Sequence, residues 1–276
     1  MLRVDLDELR AALTLTQVGE DSYQAANLQL GGAIVFGGQI LAQSAVAALI
    51  GQAGKSVKTM HTVFARPGAS AKPLDVSIER VQAGRAFASG TVTFSQEDAV
   101  CARSMVLLSA DEPDLIRHGD ECAPGPPPAP GGDEGGAWRT VVAGGVDVRD
   151  PDQVGPPDLD VWSRWIGVPD DLGTSQALLA LSTEGFLIGT AMRPHQGVGQ
   201  SQAHRTLSTG VISHTITFHR PCDADAWVLL RQHSPFAGGG RAYGRGDIFT
   251  AGGQLVGSFA QDSMIRPMRP ARSGRL

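Results

Sequence analysis

Three cysteines in 276 residues, Cys101, Cys122 and Cys222, lie far apart and form no C-x-x-C pair. Such a set supports neither a disulfide framework nor a cysteine zinc site, and it suits a reducing compartment. No G-x-S-x-G elbow occurs, so a hydrolase built on a serine at a strand-to-helix turn has no support. The net charge is −5 and no basic stripe is interleaved with aromatics, which argues against a nucleic-acid surface. A polyanionic ligand would have to be met by local arginines rather than by an overall field. The longest apolar stretch is broken by glycine and glutamine and is too short to span a bilayer. The first nine residues are charged and lack an apolar h-region, so no signal peptide is expected. These absences describe a soluble, cytoplasmic protein with no metal site and no nucleic-acid or membrane partner.

Apolar residues make up 42% of the chain, enough for substantial cores, and the length allows one large domain or two ordinary ones. The organising stretch is 35–50, VFGGQILAQSAVAALI, with two glycines at its start and only Gln39, Gln43 and Ser44 interrupting the apolar surface. A helix apolar on most of its circumference needs cover on most of its circumference. Four β-branched-rich runs follow, Thr59–Arg66, Leu74–Val81, Ala86–Ser95 and Ala99–Ser109, separated by turn residues. They read as an antiparallel meander. A buried helix followed by a long meander suggests a sheet wrapped around a helix, the hotdog architecture.

The pattern occurs twice. Phe64-Ala-Arg-Pro67 recurs as Phe218-His-Arg-Pro221, and Gly84-Arg-Ala-Phe87 recurs as Gly240-Arg-Ala-Tyr243. A second mostly apolar helix, Ser175–Ile188, precedes the second copy. Matches in the same order at similar spacing indicate a duplicated domain rather than a solenoid. The fold class expected is α+β: a double hotdog of two antiparallel sheets, each wrapped around a long central helix.

Three segments follow from this: an N-terminal hotdog at 1–110, a Pro/Gly-rich linker at 111–137 and a C-terminal hotdog at 138–276. Five prolines and five glycines in 123–136 preclude helix or sheet there, and the window is expected to be mobile. Further expected elements are a helix at Val4–Leu13, strands at Leu15–Gly19 and Asp21–Leu30, and a β-branched run at Thr140–Val148 opening the second hotdog. Val161–Trp165 reads as a short strand, Arg193–Thr206 as a polar loop, and strands at Val211–Phe218, Ala226–Gln232, Gly240–Phe249 and Gln254–Arg266 complete the sheet. The last ten residues read as a solvated basic tail.

V-F-G-G-Q at 35–39, H-x-x-F-x-R-P-G at 61–68, F-H-R-P at 218–221 and A-Q-D-S-M-I-R at 260–266 resemble the acyl-CoA thioesterase II family. The resemblance covers nearly the whole chain, including Val161-Trp-Ser-Arg164. It implies a double hotdog that hydrolyses acyl-CoA thioesters in lipid metabolism without a cofactor, and it leaves a homo-oligomer open. It also implies a site made from an Asp, a Thr and a Gln of the second hotdog. The Gln falls on Gln261. The Asp position reads Thr183, within Ser182-Thr-Glu-Gly-Phe-Leu187, and the Thr position counts back to Val211, with Ser208, Thr209 and Ser213 nearby.

Threonine cannot take a proton from water at neutral pH, so this chain lacks the family's carboxylate at its usual place. Glu184 is the only carboxylate on that helix, but a neighbour along a helix points about 100° away. It can substitute only if the helix is rotated or unwound at Gly185. Gly37 and Gly38 would let a carbonyl oxygen approach the free N–H groups of the first helix, or would merely allow tight packing. His214 shares an apolar strand face with Ile212, Ile216 and Phe218, so it reads as a hydrogen-bonded core histidine rather than a base. His61 occupies the corresponding strand of the first copy. His195 and His204 lie in the polar loop without a partner in the sequence pattern. Arg66 and Arg220 follow the F-x-R-P strands at turns, where they brace loops. The leading function is hydrolysis of an acyl-CoA by activated water, with Gln261, Thr183 and Glu184 as site residues and Gly37 and Gly38 binding substrate. The alternatives are an acyl-thioester binding protein with a degenerate catalytic set, and an enoyl-CoA hydratase-like enzyme.

Overall fold

Both meanders are present, but they are not separate sheets. The computed structural model of the protein describes residues 3–129 and 136–268. The first half contains α1 (Leu6–Leu13), β1 (Thr16–Gly19), β2 (Ser22–Ala25), α2 (Gly37–Leu49), β3 (Lys55–Phe64), β4 (Leu74–Ala83), β5 (Phe87–Gln96) and β6 (Ala99–Ala110). The second half contains β7 (Trp138–Val142), β8 (Asp158–Trp165), α3 (Leu172–Glu184), α4 (Leu187–Met192), β9 (Leu207–Phe218), β10 (Val228–Gly238), β11 (Arg241–Thr250) and β12 (Leu255–Pro267).

The strands form one sheet of 12, in the order β1-β2-β4-β5-β6-β3-β9-β12-β11-β10-β8-β7. The expectation of two sheets is thereby corrected. The order 2-4-5-6-3 of the first half is mirrored as 9-12-11-10-8 in the second, so the duplication is visible in the topology. The seam is the antiparallel pair β3–β9, with Thr59 opposite Thr217, His61 opposite Thr215 and Val63 opposite Ser213. The hydroxyls of Thr59 and Thr217 meet at 2.9 Å, and Lys58 Nζ donates to the Phe218 carbonyl at 2.7 Å. Unpaired strand edges are costly to leave open, and here each half covers the other's.

α2 and α3 lie side by side and antiparallel beneath the sheet. A Cβ on Gly38 would stand 2.6 Å from the Leu181 carbonyl oxygen, and one on Gly173 would stand 3.0 Å from Leu49 Cδ1. The glycines therefore set the close approach of the two helices. Buried polar groups on α2 and α3 are paired, as burial demands. Gln43 donates to the carbonyls of Ala12 and Ala26, and Gln176 grips Val57 through both its N–H and its carbonyl. The Gln176 contact falls at a β-bulge in β3.

The helix expected to run through Ile188 stops at Glu184 and restarts at Leu187. Gly185 lies against the Trp138 ring, which stacks on Trp165 with centroids 5.3 Å apart. The expected strands Asp21–Leu30 and Thr140–Val148 are shorter, ending at Ala25 and Val142. Of the linker, residues 130–135 lie outside the described residues. On its N-terminal side Glu121 bridges to Gln254, and Cys122 N–H donates to the Gly253 carbonyl. The basic tail lies outside the described residues from Arg269 onward.

Candidate active site

Counting four residues back from the phenylalanine of each F-x-R-P gives Met60 in β3 and His214 in β9. Met60 is paired across the sheet with Val106, and His214 with Gln261. One rung of the duplicated sheet is thus apolar in the first half and polar in the second.

The polar rung continues into α3. His214 Nε2 lies 2.9 Å from Thr183 Oγ1, and His214 Nδ1 lies 3.1 Å from Gln261 Oε1. Gln261 Nε2 in turn donates to Ser263 Oγ at 2.9 Å. With the amide held this way round, Nδ1 carries the imidazole proton and Nε2 accepts from the threonine hydroxyl. That hydroxyl has one proton, which it shares between Nε2 and the Ala180 carbonyl, 2.8 Å away. Thr183, His214, Gln261 and Ser263 are all buried. Burial drives the His214 pKa down to about 4, against the opposing pull of its bond to Gln261, so the ring is neutral. The Phe259 ring stacks on it, with centroids 6.1 Å apart.

Glu184, one residue along, points elsewhere. A Cβ built on Gly37 would lie 3.1 Å from Glu184 Oε1 and 2.8 Å from Val211 Cγ1. The Gly38 N–H faces the same carboxyl group and favours its charged form. Val211 is paired in the sheet with Ser263, which closes the circle back to Gln261. Glu184 therefore sits at the N-terminus of α2. Burial pushes its pKa up to about 8, and the Gly38 N–H opposes that rise without cancelling it. At 9% it is more exposed than Thr183, His214, Gln261 or Ser263.

The sequence-derived candidates thus gather in one place: Gln261 and Thr183 joined through His214, and Glu184 against Gly37 and Gly38. Gln261 is engaged at both ends of its amide, by His214 and by Ser263. His214 was legible only as a core histidine, and it is indeed buried and doubly bonded. The sequence signal that marks it further is its replacement by Met60 in the other half. Ser263 carried no signal. Of the other positions weighed, Arg220 donates to the Leu255 carbonyl at 2.6 Å and braces a loop, and His61 bonds Thr215 on the opposite face of the sheet.

A cavity of about 850 Å³ is bordered by Gln232, Phe259, Arg231, His233, Tyr243 and Arg245 among others. Its lining is mostly the outward face of the sheet, where Thr215 and Ala260 face away from His214 and Gln261. No cluster of three or more His, Cys, Asp or Glu side chains is placed to hold a metal among the described residues. No helix among them is long and apolar enough to cross a membrane.

Residues 26–109 match the profile of the acyl-CoA thioesterase N-terminal domain, and residues 109–265 match that of the C-terminal domain. The chain belongs to the acyl-CoA thioesterase family. It is 26% identical to acyl-CoA thioesterase 2 of Haemophilus influenzae, over 95% of this chain and 98% of that one. Two mycobacterial structures share the fold. A TesB2 acyl-CoA thioesterase II from Mycobacterium marinum is 28% identical with a TM-score of 0.79, covering 96% of this chain and 99% of that one. A tesB protein of Mycobacterium avium subs paratuberculosis has the same TM-score at 25% identity, covering 95% and 100%. Within this thioesterase family the present chain carries Thr183 where the sequence resemblance led us to expect an Asp, and that threonine is tied to a histidine.

Proposed function

We propose that the protein hydrolyses acyl-CoA thioesters with water at the junction of α2 and α3. The observation that carries this reading is the position of Glu184, at the N-terminus of α2 with its carboxyl group on Gly37 and Gly38, in a chain of two acyl-CoA thioesterase domains. Attack of water on a thioester places negative charge on the carbonyl oxygen. N–H groups at a helix start stabilise such charge, and glycines without Cβ allow the approach. Substrate would take over the N–H that Glu184 now holds.

Ionised Glu184 accepts a proton from the attacking water as the new C–O bond forms. The carbon–sulfur bond then breaks, and the proton passes from Glu184 to the departing coenzyme A sulfur. Thr183, His214 and Gln261 act one step removed. Their bonds pin the last turn of α3 to β9 and so fix where the next residue, Glu184, can reach. The break at Gly185 frees Glu184 from a continuing helix.

A second reading is favoured by one observation: a carboxyl group whose pKa is near 8 is mostly neutral at pH 7. On that reading the protein binds acyl thioesters without turning them over. Release of free thiol from short, long and aryl acyl-CoAs between pH 6 and pH 10, for the natural protein and Glu184→Gln, separates the two. Turnover that Glu184→Gln abolishes supports the hydrolase. Tight binding with no thiol released at any pH supports the binder.

A further inference from the structure

Ser182 and Gly185 stand on either side of Thr183 and Glu184, and two tryptophans hold both. Trp138 on β7 and Trp165 on β8 are opposite each other in the sheet and stack with their planes 1° apart. The Trp138 Nε1–H donates to Ser163 Oγ at 2.9 Å, and Ser163 donates on to Ser182 Oγ at 3.2 Å. The Trp165 Nε1–H reaches the same Ser182 Oγ at 2.9 Å, and Ser182 donates to the Leu178 carbonyl at 2.9 Å. All four side chains are buried, and each of their protons has its acceptor, so the two rings are fixed in place.

The far edge of the Trp138 ring meets the end of the helix. A Cβ on Gly185 would stand 3.2 Å from Trp138 Cη2, closer than a side chain normally approaches a ring with no room to give. The Phe186 ring meets Trp138 edge-on, with centroids 6.2 Å apart. The backbone at Gly185 is still helical, with φ −70° and ψ −16°, whereas Phe186 leaves the helix at φ −128°. The break therefore comes where one indole touches two successive residues. All four tryptophans of the chain lie in the second half. β1 and β2, which hold the mirrored places at the other end of the sheet, have none. Like His214 and Gln261, the indole pair belongs only to the half that carries Glu184.

We infer that Trp138 is a positioning residue for Glu184: its ring ends α3 at Gly185 and thereby holds the Glu184 carboxyl group against Gly37 and Gly38. The inference rests on the hydrolase reading. His214 fixes the residue before Glu184, and Trp138 fixes the residue after it. The carboxyl group is held from both sides, and neither holder touches the reacting atoms. No charged side chain contributes to the raised pKa of Glu184, which comes from burial at this place against the opposing Gly38 N–H. The position of the carboxyl group can therefore be read from its titration.

The test follows thiol release from octanoyl-CoA against pH in the natural protein, Trp138→Leu and Gly185→Ala, with Glu184→Gln to assign the rising limb. Trp138→Leu frees the last turn of α3, so kcat should fall about a hundredfold with KM little changed. The limb should move from about pH 8 toward the ordinary carboxylate range as the carboxyl group meets water. Gly185→Ala presses on the ring from the helix side and should do the same to a smaller degree. In Trp138→Leu the space beside Gly185 is open, so adding Gly185→Ala should lower kcat no further. Near-UV circular dichroism shows which variants fold, and should Trp138→Leu fail to, Gly185→Ala decides alone. A limb that stays at the same pH in the folded variants, whatever their kcat, marks Trp138 as ordinary core; it overturns the inference and leaves the hydrolase standing. Thiol release that is absent from the natural protein at every pH, or unchanged in Glu184→Gln, overturns both.

Discussion

His214 faces Gln261 on the rung of the sheet that Met60 and Val106 occupy in the first half. The same backbone position is core on one side of the seam and polar network on the other. Its chemistry therefore belongs to the sequence of β9 and β12, not to the architecture.

Replacing His214 by methionine should leave the Gln261 oxygen unpaired and cost about 1–3 kcal/mol in denaturant unfolding. Turnover should fall at least ~10-fold as the last turn of α3 loosens. The double variant His214→Met with Gln261→Val rebuilds the first half's pair. It should recover most of the stability and none of the turnover, a split that a purely structural histidine would not give.

The hydrolysis rate should rise with pH through about 8, as Glu184 loses its proton, and Glu184→Gln should remove that limb. Stability follows the opposite course. Because the folded pKa is raised above its ordinary 4.5, the contribution of Glu184 is full below pH 4.5 and is lost as pH climbs to about 8. For His214 the folded pKa is depressed from 6.5 to about 4, so its contribution is present above pH 6.5 and lost as pH falls through 4. Unfolding measured from pH 3 to pH 9 in the natural protein, Glu184→Gln and His214→Met assigns each slope.

Thr183→Asp sets a carboxylate against His214 Nε2. The ring's pKa should move upward, visible by NMR titration, since an opposite charge in contact favours the protonated imidazole. If the binder reading holds, this substitution should create thiol release where none existed. If the hydrolase reading holds, turnover should fall, because a charged pair is being forced into a dry site that already works.

Two neighbouring glycines should respond differently to alanine. At Gly38 the new Cβ meets a backbone oxygen, that of Leu181, so Gly38→Ala should cost about 1–3 kcal/mol of stability. At Gly37 it meets the ends of Val211 and Glu184, which can shift. Gly37→Ala should therefore spare the melting temperature and lower kcat, as measured by thermal unfolding beside thiol release.

Both central helices, the meanders and the duplication were legible, because each leaves a local mark: an apolar circumference, β-branched runs, and F-x-R-P written twice. The seam was not. Which edge of one meander pairs with which edge of the other depends on strand edges, and β3 and β9 look like ordinary strands in sequence. The end of α3 was half legible. Gly185 was visible as the place where unwinding could occur, but the cause, the Trp138 ring packed against it, comes from 47 residues upstream. Gln261, Thr183 and Glu184 could be named, whereas the linkage of Thr183 to Gln261 through His214 required the register of β9 on β12.

The seam has a consequence for how the molecule behaves at low concentration. Two hotdogs that associate as separate chains come apart on dilution and must carry identical sites. Here the partner is supplied by the same chain and joined through a hydrogen-bonded strand pair, so its effective concentration is fixed however dilute the protein becomes. Activity per molecule should accordingly not fall on dilution for want of the other half. The two halves are also released from having to match: Met60 and Val106 can serve only packing while His214 and Gln261 carry a buried polar network.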